Sequence, residues 1–126
     1  MDALLTHRMR DAINRHDLDA FVACFAPEYR SEQPVHPGRA FQGPATVRLH
    51  WSTFFAQMPD FRAETLRVAR AGDEEWAEWR WSGTLADGTP WEARGAIVQG
   101  VAGGLVRWAR IFMEPVERES TVHRVG

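Results

Sequence analysis

Through the first sixty residues the apolar positions recur every three to four places, the spacing of one helical face. Leu5, Met9, Ala12 and Ile13 define a first helix over about residues 3–16. Asp17 can cap a second, in which Leu18, Phe21, Val22 and Phe25 stand at i, i+3, i+4 and i+7, with Pro27 as its stop. A short strand over 29–33 and a Pro/Gly loop over 34–38 follow. Gly43-Pro44 opens a third helix, whose apolar stripe is Val47, Trp51, Phe54, Phe55 and Met58. The proline takes the first helical position, where its missing N–H costs nothing. From Phe61 the period falls to two. Strands are predicted over 61–70, 74–85, 91–100 and 105–114, parted by Gly72-Asp73, Asp87-Gly88 and Gly103-Gly104. Connections this short join antiparallel neighbours. The order predicts an α+β domain over residues 1–117, with three N-terminal helices packed on one face of a curved antiparallel sheet. Residues 118–126 are polar and read as a flexible tail.

The strand 76–83 is the most telling stretch. Alternation puts Ala77, Trp79 and Trp81 on one face and Trp76, Glu78, Arg80 and Ser82 on the other. The last strand divides likewise, with Leu105, Ala109, Ile111 and Met113 against Val106, Trp108 and Phe112. A sheet with one wet face would show apolar against polar; here both faces carry large apolar side chains. The helices cover one. A second copy of the chain is the simplest cover for the other, through a homodimer interface of Trp76, Glu78, Arg80, Trp108, Arg110 and Phe112 with cross-strand Glu–Arg pairing. The alternative is a monomer whose amphipathic Trp and Arg lie flat on the surface.

The chain has 126 residues, 44% hydrophobic and 25% charged, enough for one core and too apolar for disorder. A net charge of −2 with both signs scattered offers no footprint for nucleic acid or an acidic membrane. All 15 basic residues are Arg, which removes lysine Schiff-base and P-loop chemistry. The lone Cys24 excludes an intrachain disulfide and a Cys-based zinc site, and it reads as packing. The start of the chain has no basic-then-apolar signal pattern, and the longest apolar run, Ala20 to Ala26, is far short of a membrane span. A cytoplasmic protein is the expectation. His7, His16, His36 and His50 show no metal-ligand spacing, the glycines at 100, 103 and 104 link two strands and open no helix, and neither a metal nor a cofactor is expected.

An ordered set of short motifs spans nearly the whole chain: Asp17-Leu18-Asp19-Ala20, Cys24-Phe25-Ala26-Pro27, Ser31-Glu32-Gln33-Pro34, Phe41-Gln42-Gly43-Pro44, Met58-Pro59-Asp60-Phe61, Trp81-Ser82-Gly83-Thr84 and Arg110-Ile111-Phe112-Met113-Glu114-Pro115. In this the chain resembles the NTF2-like superfamily, specifically its SnoaL-like, polyketide cyclase-like branch. The resemblance implies a cystatin-like cone whose open end holds a small, usually apolar ligand, and a dimer through the outer sheet face. It does not imply one activity, because the fold hosts isomerases, dehydratases, cyclases, epoxide hydrolases and binders. The ketosteroid isomerase base, an Asp directly before the proline, is here Gln33, and that enzyme's oxyanion-holding Tyr falls at about Met9. The charged set of limonene epoxide hydrolase falls on Trp79, Trp81 and Ile111. Both mechanisms are absent.

By that register the cavity is walled by Trp79, Trp81, Ile111, Met113 and Phe54 or Phe55, with Gln33 beside it and Arg30 and Glu32 pointing in from the first strand. A carboxylate against indoles is desolvated and rises toward the range of a general acid or base. This assigns proton transfer to Glu32 and anion stabilisation to Arg30; the alternative is a structural Arg30–Glu32 pair. Glu92 and Arg94 are secondary candidates. Two functions follow: a cofactor-free isomerase, cyclase or dehydratase acting on a small hydrophobic substrate, or a non-catalytic binding or dimerisation module.

Overall fold

A computed structural model describes residues 4–117; the predicted tail at 118–126 lies outside the described residues. The helices are α1 (Leu5–Asn14), α2 (Leu18–Val22) and α3 (Pro44–Gln57). The strands are β1 (Phe25–Glu32), β2 (Phe41–Gln42), β3 (Arg62–Ala71), β4 (Glu74–Thr84), β5 (Pro90–Ala102) and β6 (Leu105–Pro115). They make one six-stranded sheet in the order β2-β1-β6-β5-β4-β3. Strands β3 to β6 form the expected antiparallel meander. The β1–β6 pair is parallel, so the sheet is mixed. The helices pack on the concave inner face, giving the α+β cone.

The start of β1 corrects the sequence reading. Phe25 and Pro27 belong to the strand, not to α2. Helix α2 ends early because its backbone is drawn into the sheet: the Val106 amide donates to the Cys24 carbonyl at 2.8 Å. Pro27 is tolerated because it is exposed at an irregularity in the β1–β6 register between Phe25 and Arg30. Burial also fits a strand with one bulge, with Tyr29 and Ser31 inward and Glu28 and Arg30 outward.

Helix α1 has no side-chain cap of its own, since Leu4 precedes it. The cap comes from β4. Glu75 is 4% exposed, and its carboxylate accepts from the Leu5 amide at 2.9 Å, the Thr6 amide at 2.7 Å and the Thr6 hydroxyl at 2.6 Å. The His7 and Arg8 amides turn to the Leu4 carbonyl, so the first-turn donors are all met. At the other end Asn14 clamps α1 to β3, donating to the Ala63 carbonyl at 3.0 Å and accepting from its amide at 2.8 Å. His16 then takes a left-handed conformation, φ 53°, as a glycine would after a helix. Its ring stacks on Phe55 at 4.2 Å between centroids and reaches the Phe61 carbonyl.

Two glycines allow the curl of β5. A Cβ at Gly95, φ 154°, would stand 1.9 Å from the Phe112 carbonyl oxygen, and one at Gly100 would stand 2.1 Å from the Trp108 indole nitrogen. Trp108 thus lies flat over the backbone of its cross-strand neighbour, Gly100, on the outer face.

Candidate functional site

The inner face of the sheet and the helices enclose a cavity of about 230 Å³. Four of the six tryptophans line it, Trp51 from α3, Trp79 and Trp81 from β4, and Trp91 from β5, with Phe21, Phe25, Tyr29, Phe41 and Phe54. Their rings meet mostly edge to face: Trp51 lies 5.2 Å from Trp81 at 77°, and 5.2 Å from Phe54 at 83°. Edge-to-face contact sets the positive rim of one ring against the negative face of the next, which holds the rings in place without closing the space between them. Small and flexible side chains, Ala93, Ala109, Ile97, Ile111, Met9 and Met113, complete the wall.

The polar atoms on this wall are few. Ser31 (1% exposed) and Trp81 (9% exposed) line the cavity, and among the described residues the Ser31 hydroxyl and the Trp81 indole N–H have no hydrogen-bond partner. Buried polar atoms in folded proteins are nearly always satisfied, so two bare ones on one cavity mark a place where something else supplies the partner. Gln99 stands at the inner end. Its amide nitrogen donates to the Thr6 hydroxyl at 3.2 Å and to the Glu75 carboxylate at 3.4 Å. Those bonds consume its donors and leave its carbonyl oxygen for the cavity. Burial works to raise the Glu75 pKa, but the hydrogen bonds from Thr6, Leu5 and Gln99 together outweigh it and hold the carboxyl below the ordinary range. Glu75 is therefore an anion spent on the helix, not a proton donor. Burial pushes the Tyr29 phenol up to about 12, opposed to a smaller extent by a contact with the Ser31 hydroxyl that falls short of a well-formed hydrogen bond, so the phenol stays neutral.

The exposed members of the lining, Arg39, His50 and Pro115, define the mouth, together with the half-buried Gln33 and Phe41. Arg39 ends the 3-10 turn Pro37–Arg39 and donates to the Gln33 side-chain oxygen at 3.2 Å. The loop is tied to the sheet by His36, whose Nε2 lies 2.7 Å from the Glu114 carboxylate. His36 itself is not part of the lining.

Of the residues assigned to the cavity from sequence, Trp79, Trp81, Phe54, Ile111, Met113 and Gln33 line it. Phe55 does not; it is turned to His16. Arg30 and Glu32 are corrected. They sit on the outer face, paired in the parallel ladder with Trp108 and Arg110, and the inward residues between and beside them are Ser31 and Gln33. The Glu32 carboxylate accepts from Arg110 at 3.2 Å at an exposed site, so the desolvation argument does not apply to it. The register of β1 beside β6 decides this, and a one-residue shift exchanges the faces. Glu92 and Arg94 are also outside, in a cluster where Arg80 donates to Glu92 at 2.8 Å and to Glu64 at 2.9 Å. No Asp or Glu lines the cavity among the described residues. Trp91, Ser31, Gln99, Arg39 and His50 are among the lining residues that sequence reasoning did not assign to the cavity. Only Trp91 carried a signal, as one of four tryptophans between 76 and 91.

The outer face presents Trp76, 50% exposed, and Phe112, 37% exposed, with Ala96 between them and charged side chains on either side. Among the described residues no cluster of three or more His, Cys, Asp or Glu could hold a metal, and no helix is long and apolar enough to cross a membrane.

A cone of this topology, with a sheet wrapped round one aromatic cavity and three helices closing it, defines the NTF2-like class. Residues 6–111 match the SnoaL-like domain family, and the chain belongs to it. No curated protein matches the sequence. Solved structures show the same fold. A hypothetical protein with a ketosteroid isomerase-like fold from Catenulispora acidiphila, in complex with trimethylamine, superposes with a TM-score of 0.74 at 14% identity, covering 87% of this chain and 85% of that one. A Mycobacterium tuberculosis protein in complex with estradiol-17beta-hemisuccinate gives 0.72 at 18% identity, over 84% and 88% of the two chains. An NTF2-like protein of unknown function from Exiguobacterium gives 0.72 at 15%, over 91% and 100%. At these identities the likeness is one of fold.

Proposed function

We propose that the protein binds a small, mainly apolar organic molecule inside the cone, held by Trp79, Trp81, Phe54, Ile111 and Met113 and oriented by hydrogen bonds. One observation carries this reading: an aromatic cavity on which two buried donors, the Ser31 hydroxyl and the Trp81 indole N–H, make no well-formed hydrogen bond within the described residues. A ligand with an acceptor oxygen, such as a ketone, would satisfy them. The small organic ligands held by two proteins of the same fold agree with it. Binding is favoured over carboxylate-driven proton transfer because no Asp or Glu lines the cavity among the described residues. An isomerase, cyclase or dehydratase here would have to move its proton through a lining group other than a carboxylate.

Ser31→Ala separates binding from folding. A hydroxyl with no well-formed hydrogen bond contributes little to the folded state, so the variant should be as stable as the parent or up to about 1 kcal/mol more stable. Its affinity for a ketone ligand should fall roughly tenfold, the worth of one buried hydrogen bond. Thermal melts and calorimetric titration of both proteins check this; a clear loss of stability would show that the hydroxyl is bonded within the protein.

The outer face is proposed as the contact between two copies, through Trp76, Phe112 and the arginines and glutamates flanking them. Exposed aromatics of this size on an open sheet face are unusual on a monomer. Trp76→Glu with Phe112→Arg should convert a dimer to a monomer in light scattering. A parent that is already monomeric at high concentration would refute the contact.

A further inference from the structure

We propose that Arg39 and Gln33 form a carboxylate-recognition clamp at the mouth, so that the cavity selects apolar molecules ending in a carboxylate. This rests on the cavity-binding reading and names the class of ligand. The chain as a whole carries a formal charge of −2, yet the lining is opposite in sign. Its charge-bearing group is Arg39; no lining carboxylate offsets it among the described residues, and Tyr29 is held neutral. A negative group entering the mouth meets no like charge on the lining among the described residues, and Glu114, next in sequence to the mouth residue Pro115, is paired with His36.

The geometry is specific to a flat, two-oxygen anion. One Arg39 terminal nitrogen donates to the Gln33 side-chain oxygen at 3.2 Å. That bond fixes which way the Gln33 amide faces, because only its oxygen can accept. Its NH₂ group is left as a donor beside the remaining N–H groups of the guanidinium. Two adjacent donors of this kind match the two oxygens of one carboxylate. Arg39 is the one arginine on the lining, and no carboxylate of the described residues pairs with it, whereas Arg80, Arg107 and Arg110 on the outer face are each paired to a glutamate. Behind the clamp the wall is aromatic, which suits an apolar body attached to the charged end.

The experiment is calorimetric titration of the full chain and of Arg39→Gln with naphthalene-1-acetate and its neutral isostere naphthalene-1-acetamide. Arg39 is exposed on a loop, so the variant should fold as the parent does. In the parent the acid should bind about tenfold or more tighter than the amide, the range for a hydrogen bond to a charged group. The preference should weaken with added salt. In Arg39→Gln the preference should vanish, the acid losing more affinity than the amide. An acid preference that survives in the variant, or amide and acid binding equally to the parent, overturns the clamp and leaves cavity binding intact. If the parent binds neither compound, the clamp falls; the cavity-binding reading falls with it only if neutral ketones and aromatics also fail to bind.

Discussion

Replacing Glu75 by alanine should lower stability by about 4 kcal/mol, the range for leaving buried partners of a charged group unmatched. For a domain of this size that is a fall of roughly 15 °C in Tm. The reason is the position of the side chain. The Leu5 and Thr6 amides and the Thr6 hydroxyl have no other acceptor, and Leu4 provides no cap. The negative charge also meets the positive end of α1. Glu75→Gln should be milder, since it keeps the shape and one acceptor but turns an NH₂ toward donors. The pH dependence has a definite sign. The folded-state pKa is held below that of the unfolded chain, so the Glu75 contribution is fully present above the ordinary glutamate range and is lost as pH falls through the depressed folded value. The Tm gap between the parent and Glu75→Gln should therefore be widest near neutrality and close as the solution is acidified. A gap that stayed constant from pH 7 to pH 3 would mean the carboxylate is not the group that caps α1.

Ala109→Phe should abolish ligand binding without abolishing the fold. Ala109 is 3% exposed and lies on β6 between Gln99 and Ser31 in the cross-strand row, so a larger side chain there projects into the middle of the cavity. Overpacking at such a site costs about 1–3 kcal/mol, which a domain of ordinary stability survives. Affinity for an apolar ligand should fall a hundredfold or more because the space itself is taken. Circular dichroism and titration together check it. Undiminished binding by a folded Ala109→Phe protein would place the ligand somewhere other than the cone.

Much of this architecture is written in local pattern. The four meander strands begin and end within a residue or two of where alternation puts them, and the division of β4, and of β6 from Trp108 onward, into two faces is as the period predicts. Val106 is the exception: alternation puts it outside, but the irregularity between Gly100 and Val101 turns it into the core, where it is fully buried. The helices α1 and α3 follow from their apolar stripes. What local pattern does not hold is anything set by long-range pairing. Phe25 fits a helical repeat and a strand equally well, and only the Val106–Cys24 hydrogen bond, 82 positions apart, makes it a strand. Arg30-Ser31-Glu32 is polar throughout, so no alternation marks which member faces in; the parallel register with β6 does. Glu75 looks like one of two solvated acids after a turn, because the amides it caps lie about 70 residues away. Those three positions move the site from an outward Arg–Glu pair to an inward serine, two glutamines and an arginine at the mouth.

The tryptophans give the account its most direct test. Trp51, Trp79, Trp81 and Trp91 all line the cavity, so a ligand inside it must alter most of the indole emission. The measurement is a fluorescence titration of the full chain with apolar acids, ketones and polyketide-like aromatics. Binding in the cone predicts a saturable, one-site change with at least one of these classes, lost in Ala109→Phe. No saturable change with any of them, or the same change in the parent and in Ala109→Phe, would contradict it.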